Sequence, residues 1–370
     1  MKKLLLLLLS ALLFLSACST KPSEEKIYRG FSTESGFDTE IQLLATVESQ
    51  EEFDKYFDLT KKEFWKYNQL FDKYNNYKDI NNIKTINDMA GIEAVEVDPL
   101  IIEMLLLSKE YTEISNGYFD ITFGPVLEIW HDYREEGLLL NAQDKPGHLP
   151  PMEKLEEAKL YSGWEFLEID TEKNTVYLTH KNSSLDVGAV AKGFATELVA
   201  LTLEEEGLKH ALVSGGGNIR SIGSKASGEP WNIGVQKPAD IVNNDNIEVF
   251  SFTENISMVT SGDYQRYYYS EDNERISHLI NPKTLMPQTD FRSVTIITPS
   301  STEADALSTA VYMMSYEEAL EFVESYNSKY PGRAFEILWI DDAADRPDWE
   351  QVEDFSLKYT DGLKELLKSK

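Results

Sequence analysis

The sequence predicts an α+β fold, on the strength of three observations. Segments with the two-residue alternation of strands and segments with the 3.6-residue period of helices are mixed along the chain. They do not alternate strictly, as they would in a doubly wound parallel sheet. No period of 20–50 residues repeats, which argues against solenoids and propellers. Of the 370 residues, 42% are hydrophobic and 11% aromatic, enough for a packed core.

The first seventeen residues have the composition of an export signal. Lys2 and Lys3 precede a run of leucines, and the apolar stretch continues to about Ala17. This stretch is too short for a membrane-spanning helix, which needs about 20 residues. A basic start, a short apolar run and small residues before a cleavage point are typical of a secretory signal. We therefore expect residues 1–17 to be a signal peptide.

The segment that follows predicts a lipid anchor. Residues 15–18 read Leu-Ser-Ala-Cys and resemble a bacterial lipobox, in which the cysteine is lipidated and becomes the N-terminus. Cys18 is the only cysteine, so it has no disulfide partner within the chain. We expect polar residues 18–30 to tether an extracytoplasmic body to the cell membrane. The alternative is an ordinary secretory signal with an incidental cysteine.

The charge of the chain excludes one class of partner. Lys plus Arg number 35 and Asp plus Glu 64, a net charge of −29. Such a chain is repelled by nucleic-acid phosphates and by anionic lipid headgroups unless it carries a basic stripe. The densest positive stretch in the body is Lys61-Lys62. We therefore expect no nucleic-acid binding and no membrane contact beyond the lipid. An anionic ligand would need a metal ion, or backbone N–H groups directed at it, to offset the negative charge of the chain.

The first half of the body predicts one strand and two helices. Residues 37–47 alternate as a half-buried strand does, and residues 51–74 place apolar side chains at helical spacing. The Asn-rich segment 75–87 is turn-like. A second helix over 99–115 begins after Asp-Pro and ends at Asn-Gly, which are start and stop signals. Residues 138–151 contain three prolines and predict a loop.

The second half predicts short strands and three helices. Short runs of apolar and β-branched residues indicate the strands, and longer runs at helical spacing indicate the helices. The strands are expected at 164–169, 175–179, 211–213, 231–235, 248–252 and 294–298, and the helices from about 193 to 206, from 302 to 314 and from 316 onward.

Three consecutive glycines, Gly215 to Gly217, follow the strand at 211–213. They lack the G-x-G-x-x-G spacing of a dinucleotide site, because Arg220 stands at the third position. Residues 221–224 predict a turn where that motif requires a helix. The glycines are consistent either with a tight hairpin or with a backbone that approaches a ligand closely.

Lys192 is placed unusually for a lysine. It stands in the first turn of a predicted helix, where the macrodipole disfavours a cation. Gly188 and Gly193 have the outer spacing of a P-loop, but Phe194-Ala195 stand where that motif has Lys and Ser or Thr. Lys192 is therefore either a solvated surface lysine or part of an anion site at the helix N-terminus.

Asp305 and Thr309 lie four residues apart on one face of the helix over 302–314. A carboxylate beside a hydroxyl suits Mg²⁺, which prefers oxygen ligands. The alternative is structural, because an acidic residue in a first turn complements the dipole and a mid-helix Thr often bonds back to the helix. The five histidines are scattered, so no zinc site is expected, and His278 alone is as consistent with a structural role.

Eight segments in order, from about Gly36 to Ser315, resemble one family, the ApbE-type flavin transferases or FAD:protein FMN transferases. Each segment is weak alone, and their order makes the resemblance specific. They are residues 36–39, 70–74 with Ile83 and Asn87, 116–125 with Trp130, 186–193, 214–220, 260–264, 278–284 and 304–310.

The resemblance implies a fold and an activity. Residues 31–360 would form mixed, largely antiparallel sheets with flanking helices, in two lobes around a flavin-binding cleft. The substrates would be FAD and an extracytoplasmic acceptor protein, with Mg²⁺ at the pyrophosphate. A threonine hydroxyl of the acceptor would receive FMN, and AMP would leave.

The same resemblance implies roles for individual residues. His278 falls at the position of the proposed catalytic base, and Asp305, Thr309 and the backbone carbonyl of Ala189 fall at metal-ligand positions. The positions that would contact FAD are Phe37, Tyr74, Tyr118, Phe119, Asp120, Asp186, Lys192 and Ile280.

Three positions depart from the family pattern. Asn218 and Asn281 stand where the family usually has Asp, and Leu285 stands where it has Gly, which predicts a reshaped turn beside His278. Two alternatives to transfer stay open. One is an FAD pyrophosphatase, in which water replaces the acceptor and free FMN is released. The other is a lipoprotein that binds a flavin or another solute without turnover.

Overall fold

The computed structural model describes residues 26–239 and 245–367. The predicted signal peptide, Cys18 and most of the predicted tether lie outside the described residues. Within the described part, no helix combines the length and the apolar character needed to cross a membrane.

A nine-stranded sheet dominates the described part of the chain, and its strands are all paired antiparallel. The strands of this sheet and of three smaller sheets are, in chain order, β1 (Lys26–Ser32), β2 (Ile41–Val47), β3 (Val95–Glu96), β4 (Leu167–Asp170), β5 (Thr175–Leu178), β6 (Ala211–Gly215), β7 (Asn218–Ile222), β8 (Trp231–Gln236), β9 (Asn246–Phe252), β10 (Ser257–Gly262), β11 (Tyr267–Tyr269), β12 (Arg275–Ser277), β13 (Ser293–Thr298), β14 (Glu336–Asp342), β15 (Glu350–Val352) and β16 (Phe355–Tyr359).

The order in the large sheet is β1-β2-β6-β7-β10-β13-β14-β16-β15. Three smaller sheets, β3-β5-β4, β8-β9 and β11-β12, are antiparallel as well. The α+β class predicted from the sequence is confirmed, since the strands of the described residues pair antiparallel, through hairpins and long connections, and form no parallel βαβ units there.

Several helices begin where the sequence supplies a capping side chain. Ser49 accepts a hydrogen bond from the N–H of Glu52, Asp98 accepts one from Leu100, and Ser315 and Glu318 form a capping box. The helices are α1 (Gln50–Phe71), α2 (Ile83–Asp88), α3 (Pro99–Ile114), α4 (Gly124–Asn141), α5 (Met152–Lys159), α6 (Ala191–Glu205), α7 (Ser301–Tyr312) and α8 (Tyr316–Lys329).

The two faces of the large sheet bury separate clusters. Along β14, Ile337 and Trp339 pack with the helices, whereas Leu338 and Ile340 pack with the β8-β9 hairpin on the other face. Side chains of a strand alternate between the faces of a sheet, so a continuous apolar run is required when both faces are covered. α1, α6 and α7 cover the first face and bring their ends to the candidate site.

Several local predictions were wrong. The turn-like segment 75–87 contains the start of α2, which Asn82 caps and which buries Ile83 and Ile86. α4 runs through residues 138–141, the beginning of the predicted loop. Ser221 and Ile222 end strand β7 and do not form a turn, because they pair with β6. At 75–87 burial overrides the local turn signal, and at 221–222 strand pairing does.

Candidate active site

One cavity of about 560 Å³ brings the predicted site residues together. Its walls come from the loop before β2, the C-terminal end of α1, the N-terminal end of α6, the β6–β7 turn and α7. Apart from Cys18, every residue predicted for the site lines it: Phe37, Tyr74, Tyr118, Phe119, Asp120, Asp186, Ala189, Lys192, His278, Ile280, Asp305 and Thr309.

The crossing of α6 and α7 forms one closely packed wall. The N–H of Gly193 donates to Asp305 Oδ2 over 2.7 Å. A Cβ at Gly193 would lie 2.3 Å from the carbonyl oxygen of Ser301 and 2.4 Å from Asp305 Cβ, so only glycine allows this approach. The hydrogen bond holds the buried Asp305 carboxylate at the start of α6.

This bond leaves one backbone carbonyl free. In a regular helix the N–H of Gly193 would bond to the carbonyl four residues earlier, which belongs to Ala189. Here it bonds to Asp305, and no other N–H of the described residues replaces it. The Ala189 carbonyl, the Asp305 carboxylate and the Thr309 hydroxyl thus line one cavity as oxygen donors.

These donors fit Mg²⁺. That ion prefers oxygen ligands and is held by one or two carboxylates together with substrate phosphates and water. Among the described residues there is no group of three or more His, Cys, Asp and Glu side chains that could hold a metal ion.

His278 lies in a positively charged part of the cavity. Burial, together with the nearby positive charges of Arg266, Arg134 and Lys192, lowers the pKa of His278 to about 3. Its backbone N–H donates to the carbonyl of Arg266, while the buried Nδ1 has no partner among the described residues. His278 is therefore a neutral imidazole, surrounded by cations that an anionic substrate would meet.

Lys192 and Arg266 are unpaired cations. Neither side chain makes an ion pair or hydrogen bond within the described residues, whereas Arg134 bonds to Nδ1 of His131 over 2.8 Å. In a chain with a net charge of −29, cations left free around a cavity favour a bound anion.

Asp186 is held by a lysine that was not among the predicted site residues. Lys73 Nζ lies 2.5 Å from Asp186 Oδ2, and the N–H of Gly188 donates to Oδ1 over 2.9 Å. Burial raises the pKa of Asp186, but Lys73 and these hydrogen bonds outweigh it and hold the pKa below its usual value. Lys73 links the end of α1 to the loop before α6.

The segment between α3 and α4 supplies an aromatic and acidic wall. Tyr118 donates its hydroxyl to Glu318 over 2.6 Å, and Lys283 Nζ lies 3.4 Å from the centre of the Tyr118 ring. Asp120 accepts from the N–H and hydroxyl of Thr122. Burial raises the pKa of Asp120, although both of these bonds oppose the shift. Phe119 is buried beside them.

The opposite rim uses strained backbone. Phe37 has a φ of 59° and its N–H donates to Asn68 Oδ1 over 2.6 Å. Backbone in this region is uncommon for a bulky side chain and is concentrated at ligand sites. Tyr74 is 54% exposed at the mouth of the cavity, and Ile280 is buried in its wall.

The triple glycine forms a hairpin that also reaches the cavity. Gly215 pairs with Asn218, and Gly216 and Gly217 between them both have positive φ. Gly216 and Asn218 line the cavity, and the buried side-chain amide nitrogen of Asn218 has no partner among the described residues. The hairpin interpretation is confirmed, and the placement agrees with the ligand interpretation.

The turn after His278 contains Asn281 and Leu285, two of the positions at which the sequence departs from the family pattern. Leu285 has a φ of 64°, so it takes the left-handed conformation in which glycine is favoured. Its side chain packs with the cluster that includes Trp130, whose Nε1 donates to the Leu285 carbonyl over 2.9 Å. The Asn281 side chain donates to the Met313 carbonyl over 2.9 Å, which ties this turn to the end of α7.

Comparison with known proteins identifies the family. The sequence model described as the ApbE family matches residues 36–331. The chain belongs to this family. It is 30% identical over 259 residues to the FAD:protein FMN transferase of Haemophilus influenzae, covering 69% of this chain and 72% of that protein. It is 31% identical over 250 residues to the enzyme of the same name from Escherichia coli K12, covering 67% and 68%.

Solved structures support the ApbE fold. The ApbE protein from Thermotoga maritima matches with a TM-score of 0.74 at 24% identity, covering 93% of this chain and all of that one. The flavin transferase ApbE from Vibrio cholerae matches with a TM-score of 0.69 at 22% identity, covering 94% and 100%. The resemblance read from the ordered segments is thereby confirmed.

Three cavity residues were missed by sequence reasoning. Lys73 lies within residues 70–74, one of the segments that resemble the ApbE family, but the resemblance implied no role for it. Arg266 follows another such segment by two residues, and Arg134 lies one helical turn after Trp130. Their shared feature is proximity to His278 or Asp186, which no spacing in the sequence encodes.

Proposed function

We propose that this chain is an FAD:protein FMN transferase that transfers FMN from FAD to a threonine hydroxyl of an acceptor protein. The observation that carries the proposal is the convergence of all the predicted site residues other than Cys18 on one cavity. The names of the curated relatives support the reaction class.

The cations of the cavity would bind and orient the pyrophosphate of FAD. Lys192 and Arg266 have no competing partners among the described residues, so they can pair with phosphate oxygens. Phosphoryl transfer needs positioning and charge stabilisation more than covalent participation by the enzyme. Phe37, Tyr118 and Phe119 supply aromatic surface for the rings of the substrate.

His278 would take the proton. The acceptor hydroxyl oxygen forms a bond to the phosphorus of the FMN half, and the bond from that phosphorus to the bridging oxygen breaks. AMP leaves with the bridging oxygen, and the hydroxyl proton passes to the neutral imidazole, whose buried Nδ1 has no partner in the described chain. Binding of the anionic substrate among the cations offsets the charges that lower the pKa of His278.

Asp305, Thr309 and the Ala189 carbonyl would hold Mg²⁺. The bound ion supplies neutralisation of charge at the pyrophosphate. The support for this assignment is the free Ala189 carbonyl and the Asp305 carboxylate fixed by Gly193.

The proposal places the enzyme outside the cytoplasm, attached through lipid on Cys18. The support is the basic, apolar and small-residue pattern of residues 1–18. Expression of the full gene should yield a membrane-associated protein whose N-terminal peptide carries an acylated cysteine by mass spectrometry. Cys18→Ala should abolish the acyl mass, and an unmodified N-terminus in the wild type would refute the anchor.

The transfer itself is tested with the full chain in detergent. FAD and Mg²⁺ are incubated with and without a threonine-containing acceptor, and AMP release is followed together with the intact mass of the acceptor. AMP with an FMN-sized mass gain establishes the transferase. AMP and free FMN at an acceptor-independent rate would identify a pyrophosphatase, and tight FAD binding without AMP would identify a binding protein.

A further inference from the structure

A second concave surface meets the cavity at its mouth. It has a volume of about 680 Å³ and lies between α4, α5 and the segment 181–185, and we name it the α4–α5 groove. Groove and cavity share Lys73, Tyr74 and His131. The rings of Tyr74 and His131 are in contact, with centres 5.5 Å apart, so this pair stands at the junction of the two spaces.

The walls of the groove are charged and open. Exposed Lys154 and Lys181 face a lining that also contains exposed Glu128, Asp132 and Glu157. Neither lysine forms an ion pair within the described residues. An exposed lining of mixed charge resembles the polar rim of a protein–protein interface, whereas small-molecule pockets are mostly apolar.

One edge of the groove offers free backbone groups. The segment 181–185 has no regular structure, and the carbonyls of Lys181, Asn182 and Ser183 accept no hydrogen bond from the described residues. The N–H of Ser184 is free in the same sense. Asn87 fixes the end of this segment through two hydrogen bonds with Leu185. Free backbone along a fixed edge suits an extended polypeptide, which supplies matching donors and acceptors.

We propose that the α4–α5 groove binds an extended segment of the acceptor polypeptide and leads its hydroxyl past Tyr74 into the cavity. This inference rests on the proposed transfer. A cavity of about 560 Å³ is of the size that one small ligand fills, so a macromolecular acceptor has to dock outside it. The groove opens onto the cavity at the side of Lys73, which holds Asp186.

The test blocks the groove without touching the cavity. Asn182 is exposed and its side chain makes no hydrogen bond among the described residues, so Asn182→Trp fills the groove sterically. Ser325→Trp, at an exposed position of α8 that lines neither space, is the matched control. A second pair reverses charge: Lys154→Glu with Lys181→Glu, against exposed Lys62→Glu with Lys209→Glu.

The probe is a library of short peptides that each contain one threonine. Peptides that bind the FAD-loaded full chain are selected, and the best binder is labelled for fluorescence anisotropy. We expect Asn182→Trp to raise both the peptide dissociation constant and the KM for the peptide in FMN transfer by about tenfold, because the indole occupies space that the peptide needs. FAD affinity and kcat should stay unchanged, as should every constant of the Ser325→Trp control.

Each outcome decides the proposal. Unchanged peptide affinity in both groove variants would overturn it and place the acceptor on another face. If no peptide binds the wild type, the groove holds no extended polypeptide and the inference is wrong. If peptides bind but no FMN is transferred, the proposed reaction fails while the binding data still decide the role of the groove.

Discussion

Two walls of the same cavity differ in how their polar groups are satisfied. At the α6–α7 wall, the Asp305 carboxylate already accepts from Gly193, and the approach of the two helices leaves no room for a side chain at that glycine. At the other wall, Nδ1 of His278 is buried with no partner among the described residues, and the positive charges of Arg266, Arg134 and Lys192 act on the ring.

The difference shows that one wall is preformed and that the other has groups without partners. The α6–α7 wall is built before any ligand arrives, so its oxygens need no reorganisation when charge is bound. The His278 wall is left incomplete, because its imidazole requires a proton donor and its cations require an anion. Binding should therefore change the His278 wall more than the α6–α7 wall.

The largest expected effect is at Asp305. Asp305→Ala removes the one acidic oxygen donor of the proposed metal site, and a bound metal contributes several kcal/mol to charge stabilisation. We expect Mg²⁺-dependent AMP release to fall more than about 10³-fold. Asp305→Asn is the control, since it keeps an acceptor for the Gly193 N–H and removes the charge. Undiminished AMP release in both variants would rule out the metal role.

His278 should affect rate and leave substrate binding intact. His278→Gln is expected to slow transfer about 10²- to 10⁴-fold, the range for losing a general base, with FAD affinity preserved. AMP release in single turnover gives the rate, and fluorescence titration gives the affinity. A variant with the wild-type rate would remove His278 from the mechanism.

The depressed pKa of His278 also predicts a pH effect on stability. The folded-state pKa of about 3 lies below the usual 6.5, so the unfolded state binds more protons between these values. The unfolding free energy that this pKa difference contributes is fully present above about pH 6.5 and is lost as the pH falls toward 3. In urea unfolding, wild type should therefore lose more unfolding free energy on acidification than His278→Gln does, and equal losses in the two proteins would contradict the assigned pKa.

Gly193→Ala tests the α6–α7 wall directly. The new methyl group meets the Ser301 carbonyl, so the helices must separate. Overpacking of this kind costs about 1–3 kcal/mol of unfolding free energy. Mg²⁺ affinity should fall with it, because Asp305 moves. Gly332→Ala is the control, since no atom lies within 4 Å of its added methyl group. Equal unfolding free energies of the two variants would show that α6 and α7 can move apart at little cost in stability.

The smallest effect concerns the turn after His278. Leu285→Ala and Leu285→Gly both lose the packing against the cluster around Trp130, and only glycine relieves the left-handed backbone. We expect the glycine variant to be about 1 kcal/mol more stable than the alanine variant, and both to be less stable than wild type. Thermal unfolding measures the order, and a reversed order would mean that the turn changes shape.

Much of the fold was readable from local patterns. The helical spacing of apolar residues located α1, and the Asp-Pro start signal located α3. The Ser315 capping box agrees with the predicted helix start at 316. Two of the wrong predictions concern residues 75–87 and 138–141, which have strong turn composition or lie beside prolines. There the burial of Ile83 and Ile86, or continuation of α4, decided the outcome.

The sequence alone determined the chemistry of the site. The residue types and the order of the eight segments specified the family, because these depend on identity and on order along the chain. The roles proposed for Asp305, Thr309 and His278 follow from that resemblance. Tertiary structure alone decided what surrounds them. Gly193 frees the Ala189 carbonyl only because α7 crosses α6, and Lys73 reaches Asp186 across 113 positions. Such contacts join residues distant in the chain, and no local period or propensity records them.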